Sequence, residues 1–372
     1  MYTLVAGGYR SSIALLQFEP STAKLKLVSE SETPENPSWV EKSKVKSGVL
    51  YSLSENDDGL ALSLALRDDK IIVTGQRKTY GGATHVHCMK DGSGIVIANF
   101  IGGSVIFFPL NPDGSLSQTS ESPKLQFPNL YEDKSPNPER QDSPHAHQVL
   151  EGENGVMYIP DLGNDRVWII GRVGESGLEI RGELKCPPGS GPRHGVISDD
   201  LKHLYILSEL THIIYCFILP PPPSSNPTTF PIISPVQEFS INILPPTISP
   251  NQSDPMLSAE IVAHPQYPNV LYASNRAEMD INDHPSGSIQ GDAVTVILLS
   301  EDGEKCQSIT HVRTGCNNIR ALSISPDGRY ASLAGQNGGG IEIWAISGER
   351  GENWKLAAKL ENLKKITDIV WI

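Results

Sequence analysis

Residues 191–219 read GPRHGVISDDLKHLYILSELTHIIYCFIL. The stretch divides into three apolar β-type runs, separated by DDLK and by ELTH, which is the pattern of a short meander. Arg193 and His194 stand before the first run and Glu209 follows the second. Strand ends ordinarily carry turn formers, so titratable groups at both ends point to one shared surface.

The same pattern recurs along the chain: an extended start, a turn of Asp, Pro, Gly or Asn, an apolar strand with Tyr, then another turn and strand. It is seen in YTLVAGGYRSSIALLQFEP (2–20), SGVLYSLSENDDGLALSLAL (47–66), GSGIVIANFIGGSVIFFPLNPDGSL (92–116) and NGVMYIPDLGNDRVWIIGRV (154–173). After LKHLYILSELTHIIYCFIL (201–219) come PNVLYASNRAEM (268–279) with DAVTVILL (292–299), and DGRYASLAGQNGGGIEIWAI (327–346). A single meander cannot bury both faces, so seven such units stack radially most economically, as a seven-bladed β-propeller. The first copy lacks an opening strand and the chain ends in an unaccompanied one, ITDIVWI (366–372). Pairing the C-terminal strand with the N-terminal blade would close the ring and hide two sheet edges. The fold class expected is therefore all-β, one propeller domain over residues 1–372. With 33 Gly and 29 Pro, helical periodicity is almost nowhere sustained.

Two stretches break the rhythm, and both read as inserted loops on a face or edge: about 120–143, rich in Ser, Pro and charge, and about 220–255, rich in proline. A third, 278–291, is acidic, contains His284 and reads as a solvated loop.

The net charge of −13 and pI near 5.2 argue against nucleic acid or an anionic membrane as partner, although a local basic pocket could still hold a small anion. Five cysteines without CxxC spacing suggest reduced thiols. The opening MYTLVAGGY lacks signal-peptide character and no apolar run approaches the ~20 residues that span a bilayer, so a cytoplasmic location is expected.

In a propeller, the segments entering each innermost strand crowd around one mouth of the central channel. The residues found there are Thr84, His85 and His87 of THVH, His145 and His147 of SPHAH, and Arg193 and His194 of GPRH. The ends of the second strands add Asp161, Glu209, Arg276 and Gln336. The two HxH pairs could hold zinc through His85, His87, His145 and His147, since alternate side chains share a face, but no Cys or Glu completes a known zinc signature. Asp161 and Asn164 in DLGND also suit a turn, and Arg193 with Glu209 could simply brace a blade.

PHAHQV (144–149), DLGNDR (161–166), GSGPRHGVISDDLKHLYILSEL (189–210), LYASNRA (271–277) and ISPDGRYASLAGQNGGGIEIWAI (324–346), in this order, resemble the lactonase family of seven-bladed propellers. That family includes bacterial 6-phosphogluconolactonases of propeller type and fungal 3-carboxymuconate lactonizing enzymes. The resemblance implies a site on His147, Glu209, Arg193 and Arg276 as catalytic residues, and the shared blade positions make His85, His87, His145, His194, Asp161 and Gln336 the expected substrate contacts. It also implies an anionic lactone or carboxylate as substrate; no cofactor and no metal are expected, since no metal-holding constellation of Glu, Asn and Asp is found in the sequence. Ring opening would use Glu209 or His147 as general base and the arginines for the oxyanion. The cyclizing reaction could use the same groups, and a non-catalytic scaffold is the competing class. One departure concerns the last blade: the family often has Pro-Arg before this strand, whereas CNNIR puts Arg320 after Ile319, which leaves a substrate contact there in doubt.

Overall fold

The computed structural model describes residues 1–118, 121–132, 134–219 and 239–372. Seven antiparallel four-stranded sheets are formed by the described residues. Blade 1 pairs Ile366–Trp371, Tyr2–Gly8, Ser12–Glu19 and Lys24–Glu32 in that order. Blades 2 to 7 follow in chain order and open with Val40–Lys42, Ala83–Cys88, Leu150–Glu151, Pro192–Ile197, Leu257–Ala263 and Asn317–Ile324. The expected closure is present: Leu4 pairs with Trp371, Val5 with Val370 and Ala6 with Ile369.

Radial stacking explains why the second strands are apolar at consecutive positions. In His203–Ser208, Tyr205 and Leu207 face blade 6 and join Leu271, Ala273 and Ile297, while Leu204 and Ile206 face blade 4 and join Val167 and Ile169. Alternate side chains of one strand thus enter two different cores. Seven clusters of this kind lie between successive blades, the one between blades 7 and 1 included.

The recurring tyrosine pins each of three blades to the next. Tyr51, Tyr205 and Tyr272 donate through their hydroxyls to the carbonyls of Gly114, Gly303 and Gly351, at 3.0, 2.8 and 2.8 Å. Gly303 and Gly351 have φ of +74° and +80°, and a Cβ on either would stand 2.5 or 2.6 Å from the tyrosine oxygen. Both the turn and the contact therefore require glycine.

Each insertion is partly structural. Leu125–Gln126 forms the outer strand of blade 3 and Ser240–Asn242 that of blade 5. The proline-rich stretch 220–238 lies outside the described residues. The third insertion is a mostly solvent-exposed loop, but its first residue, Glu278, is fully buried, in ion-pair contact with Arg313 at 2.7 Å and bonded to His284 at 3.1 Å. All five cysteines are free, four of them buried and Cys306 exposed. Among the described residues no helix is long and apolar enough to cross a membrane.

If closure carries the ring, truncating Trp371, which is 3% exposed, should cost far more than truncating its neighbour Ile372, which is 39% exposed. Trp371→Ala is expected to lose ~3–5 kcal/mol in urea unfolding, and Ile372→Ala to stay within about 0.5 kcal/mol.

Candidate active site

Two sets of residues converge on the axis. The first set lies on the opening strands: counted from the second-strand partners, the equivalents of His85 include Trp39, His194, Glu260 and Asp368, while Arg320 holds the bulged position just before, as Arg193 and Thr84 do. The second set lies at the ends of the second strands: Tyr9, Glu55, Phe100 and Glu209 follow theirs directly, and Arg276 is the last residue of its own.

Glu209 is the electrostatic centre of the mouth. It is 2% exposed and contacts Arg193 Nε at 2.9 Å and Arg276 Nη2 at 2.8 Å through Oε2, while Arg140 donates to its Oε1. Burial alone would raise this carboxyl, but Arg276, Arg193 and Arg140 outweigh it and hold it down at about 2. A β-bulge between Ser258 and Ile261 supplies carbonyls to the same arginines: Ser258 accepts from Arg276 at 2.9 Å and Ala259 from Arg193 at 2.5 Å. The Arg193 Nε–H is close to Glu209 but not aimed along a hydrogen bond, and Arg276 Nε is buried without an acceptor. Two buried guanidinium donors are thus left for a further acceptor.

Arg320 completes the cationic group. Its Nη1 donates to the Tyr9 hydroxyl at 2.7 Å, which donates in turn to Glu55 Oε1 at 2.9 Å. The last blade therefore does reach the mouth, with its arginine one position beyond Ile319.

Beside this group lies a file of buried imidazoles. Glu260 Oε1 is 2.7 Å from His194 Nδ1, and His194 Nε2 is 3.1 Å from His147 Nδ1. His147 Nε2 has no protein partner among the described residues. Trp39 packs against His85 at 4.3 Å and against the edge of His194 at 5.4 Å. Burial first, then Arg193 and other neighbouring cations, push His147 and His194 well below the ordinary histidine range, and burial with His194 does the same to His85. Burial acts the other way on carboxyls: it lifts Glu260 to about 8 and raises Asp368 strongly.

The remaining expected contacts divide. His145 stacks on Phe100 at 4.3 Å, bonds Asp142 at 3.0 Å and lies at the rim. His87 bonds Glu151 at 2.9 Å, and Glu151 lines a cavity with Met89, Lys90, Gly155 and Arg172, among the turns of blades 3 and 4 and apart from Glu209. Asp161 is fully buried and consumed locally: it accepts from His145 N, Asn164 Nδ2 and Trp168 Nε1 at 2.7, 2.6 and 2.8 Å, which is the turn-forming use of DLGND. Gln336 lies two residues before the end of its strand, Tyr330–Gly338, and its side chain makes no hydrogen bond among the described residues. The four histidines considered for zinc are thus engaged separately, and no group of three or more His, Cys, Asp or Glu in metal-holding geometry occurs among the described residues.

Sequence reasoning missed Glu260, Tyr9, Glu55, Trp39 and Arg140. Glu260 in SAEIVA sits at the same offset as His194 in PRHGVI, so blade-by-blade alignment carried a signal for it. Arg140 carried none. It reaches Glu209 because its insertion is strapped to blade 4: Leu130 N donates to Asn164 Oδ1 at 2.9 Å, Tyr131 to Asp165 at 2.7 Å, and Gln141 Nε2 to Leu162 O at 2.9 Å.

Comparison with known proteins agrees with this architecture. The family model "Lactonase, 7-bladed beta-propeller" matches residues 3–370. An Arthroderma benhamiae protein named "Probable 6-phosphogluconolactonase" is 26% identical over 371 residues, which is 98% of this chain and 87% of that protein. The 6-phosphogluconolactonase of Bacillus subtilis is 28% identical over 219 residues, covering 56% of this chain and 59% of its own. The crystal structure of a periplasmic gluconolactonase from Pseudomonas aeruginosa superposes with a TM-score of 0.79 at 20% identity, over 100% of this chain and 99% of that one, and so shares the fold. Spanning the ring from its first strand to its closing one, the match shows that the chain belongs to the lactonase family of seven-bladed β-propellers.

Proposed function

We propose that this chain hydrolyses the ester of an anionic sugar-derived lactone, with 6-phosphogluconolactone as the first candidate substrate. The observation that carries the reading is the charge of the cup. Arg140, Arg193 and Arg276 converge there on Glu209, and Arg320 stands in the same group on the Tyr9 hydroxyl, so that even with Glu55 counted as an anion the cations are in excess. A chain of net charge −13 that gathers arginines in this way is built to hold an anion. Guanidinium groups grip phosphate or carboxylate in pairs, and they stabilise the oxyanion of a tetrahedral intermediate. The names of the Arthroderma benhamiae and Bacillus subtilis relatives support the choice of lactone.

Ring opening requires water to add to the acyl carbon, a proton to leave that water, and the ring oxygen to depart and be protonated. Glu209 is a poor acceptor for the water proton because its three arginines hold it at about 2. Its part is to keep Arg193 and Arg276 together. His147 is the better base: neutral, buried beside the arginines, and with Nε2 open toward the cup. Arg193 and Arg276 face the developing oxyanion, and Arg320 and Arg140 are placed for the remote anionic group.

A lactone panel distinguishes these roles. The wild type should open 6-phosphogluconolactone well above its spontaneous rate, and His147→Gln should lower kcat by ~10²–10⁴-fold with a small change in KM. A wild type that accelerates no lactone refutes the reading. Arg140→Ala, which alters a side chain 34% exposed at the rim, should raise KM for a phosphorylated lactone by roughly tenfold and leave neutral gluconolactone nearly unaffected. Glu209→Gln should act through folding as well, because it leaves two buried arginines without their counter-ion. A loss of ~3–5 kcal/mol in denaturant unfolding is expected, and unchanged stability would remove Glu209 from that role.

A further inference from the structure

We propose that His147, His194 and Glu260 form a proton relay that passes the proton taken from water at His147 Nε2 inward to Glu260, so that no imidazolium is formed. The proposal rests on the lactonase reading above and deepens it. Its geometric basis is a continuous file of contacts, Glu260 Oε1 to His194 Nδ1 at 2.7 Å and His194 Nε2 to His147 Nδ1 at 3.1 Å, with the two rings 4.9 Å apart and inclined by 73°. All three side chains are at most 5% exposed, so water does not compete for these bonds.

An imidazole pair linked through unlike nitrogens has only two neutral arrangements. With Glu260 ionised, His194 Nδ1–H donates to Glu260, His147 Nδ1–H donates to His194 Nε2, and His147 Nε2 presents a lone pair. With Glu260 protonated, each proton has moved one place inward: Glu260 donates to His194 Nδ1, His194 Nε2–H donates to His147 Nδ1, and His147 Nε2 carries a hydrogen. Passing from the first arrangement to the second takes one proton from water at Nε2 and delivers one to Glu260. The bookkeeping closes: one N–H bond forms at His147 Nε2, the intervening protons each hop one site, and one O–H bond forms on Glu260. Return of the same proton to the departing ring oxygen restores the starting state.

The surroundings require such a path. Arg193, Arg276 and Arg320 face His147, and Arg193 and Arg320 also face His194 with His85 beside it, so a positive charge on either ring is opposed. A single histidine under that field would be a weak base. Glu260 faces Arg193, Arg320 and the Asp368 carboxyl, and burial gives it the proton affinity the rings lack. Ile261 N–H, 3.1 Å from Glu260 Oε1, fixes the carboxyl in line with His194.

Glu260→Gln keeps the shape and removes the proton acceptor. In the full chain it is expected to lower kcat by ~10²-fold at neutral pH with KM within about threefold. Wild-type kcat/KM should rise with pH through an apparent value near 8, where the carboxyl ionises and Nε2 gains its lone pair, and this step should vanish in the variant. Without any substrate, ¹⁵N spectra of histidine-labelled wild type should show His147 and His194 exchanging tautomers together across the same pH range. A variant that keeps wild-type kcat and pH profile overturns the relay. So do tautomers that stay fixed or a wild-type profile flat from pH 6 to 9, and both can be read even if the variant does not fold. Lactone turnover that is lost in His147→Gln but normal in Glu260→Gln overturns the relay and leaves the lactonase reading intact. A wild type silent on every lactone overturns both.

Discussion

Antiparallel pairing of Ile366–Trp371 with Tyr2–Gly8 puts both ends of the chain into one sheet, and the site depends on that closure. An open array would leave the outer faces of blades 1 and 7 in water, and the cluster that joins Leu4, Leu16 and Phe18 to Ile341 and Ile343 could not form. Closure also fixes a distance: Tyr9 follows the strand that ITDIVW pairs with, and Arg320 opens blade 7, yet they are hydrogen-bonded across 311 residues. Chemistry assembled from single residues on separate blades needs no long loops, because each blade presents the same two positions to the axis. Substitution at those positions changes the site without disturbing the inter-blade cores, which draw on alternate residues of the same strands.

The mouth and the deeper channel solve opposite electrostatic problems. Cations cluster at the mouth, where Glu209 is the counter-ion that keeps Arg193 and Arg276 buried side by side. Deeper in, Glu260 and Asp368 are two acids whose carboxyls burial raises, and each has a backbone N–H to orient it, from Ile261 and Val40. His194, bonded to Glu260, and the neighbouring His147 and His85 are kept from charging. Ionisation is therefore concentrated where an anion would arrive, and protons are retained where water is excluded.

How much of this was legible in the sequence follows from what each feature depends on. Blade number and closure rest on local patterns repeated often enough to reinforce one another, so YTLVAGG and ITDIVW could be matched as partners from their unpaired ends. Arg193, Glu209 and His147 were legible because they lie at fixed offsets from strands with strong apolar signals, and there the structure brings them together. Asp161 shares such an offset, but the tight DLGND turn captures its carboxylate before it can face the axis. His87 has the right alternation but the wrong depth, since two residues along an inner strand move a side chain by about 7 Å toward the other end of the channel.

Arg140 marks the limit of reading by periodicity. Its segment has no strand pattern to set an offset, and its position comes from three tertiary hydrogen bonds to blade 4, made by Leu130, Tyr131 and Gln141. Because that strap is outside the repeat, it can vary in length and charge while the ring stays constant. The cup thus has two parts: a core set by blade geometry, where Arg193, Glu209 and Arg276 are coupled through direct contacts and the bulge at Ser258 and His147 is held by His194, and a rim set by a loop. Changes at the rim would alter which anion is admitted. Changes in the core would be coupled to one another, because there each arginine is also part of the packing that keeps Glu209 ionised.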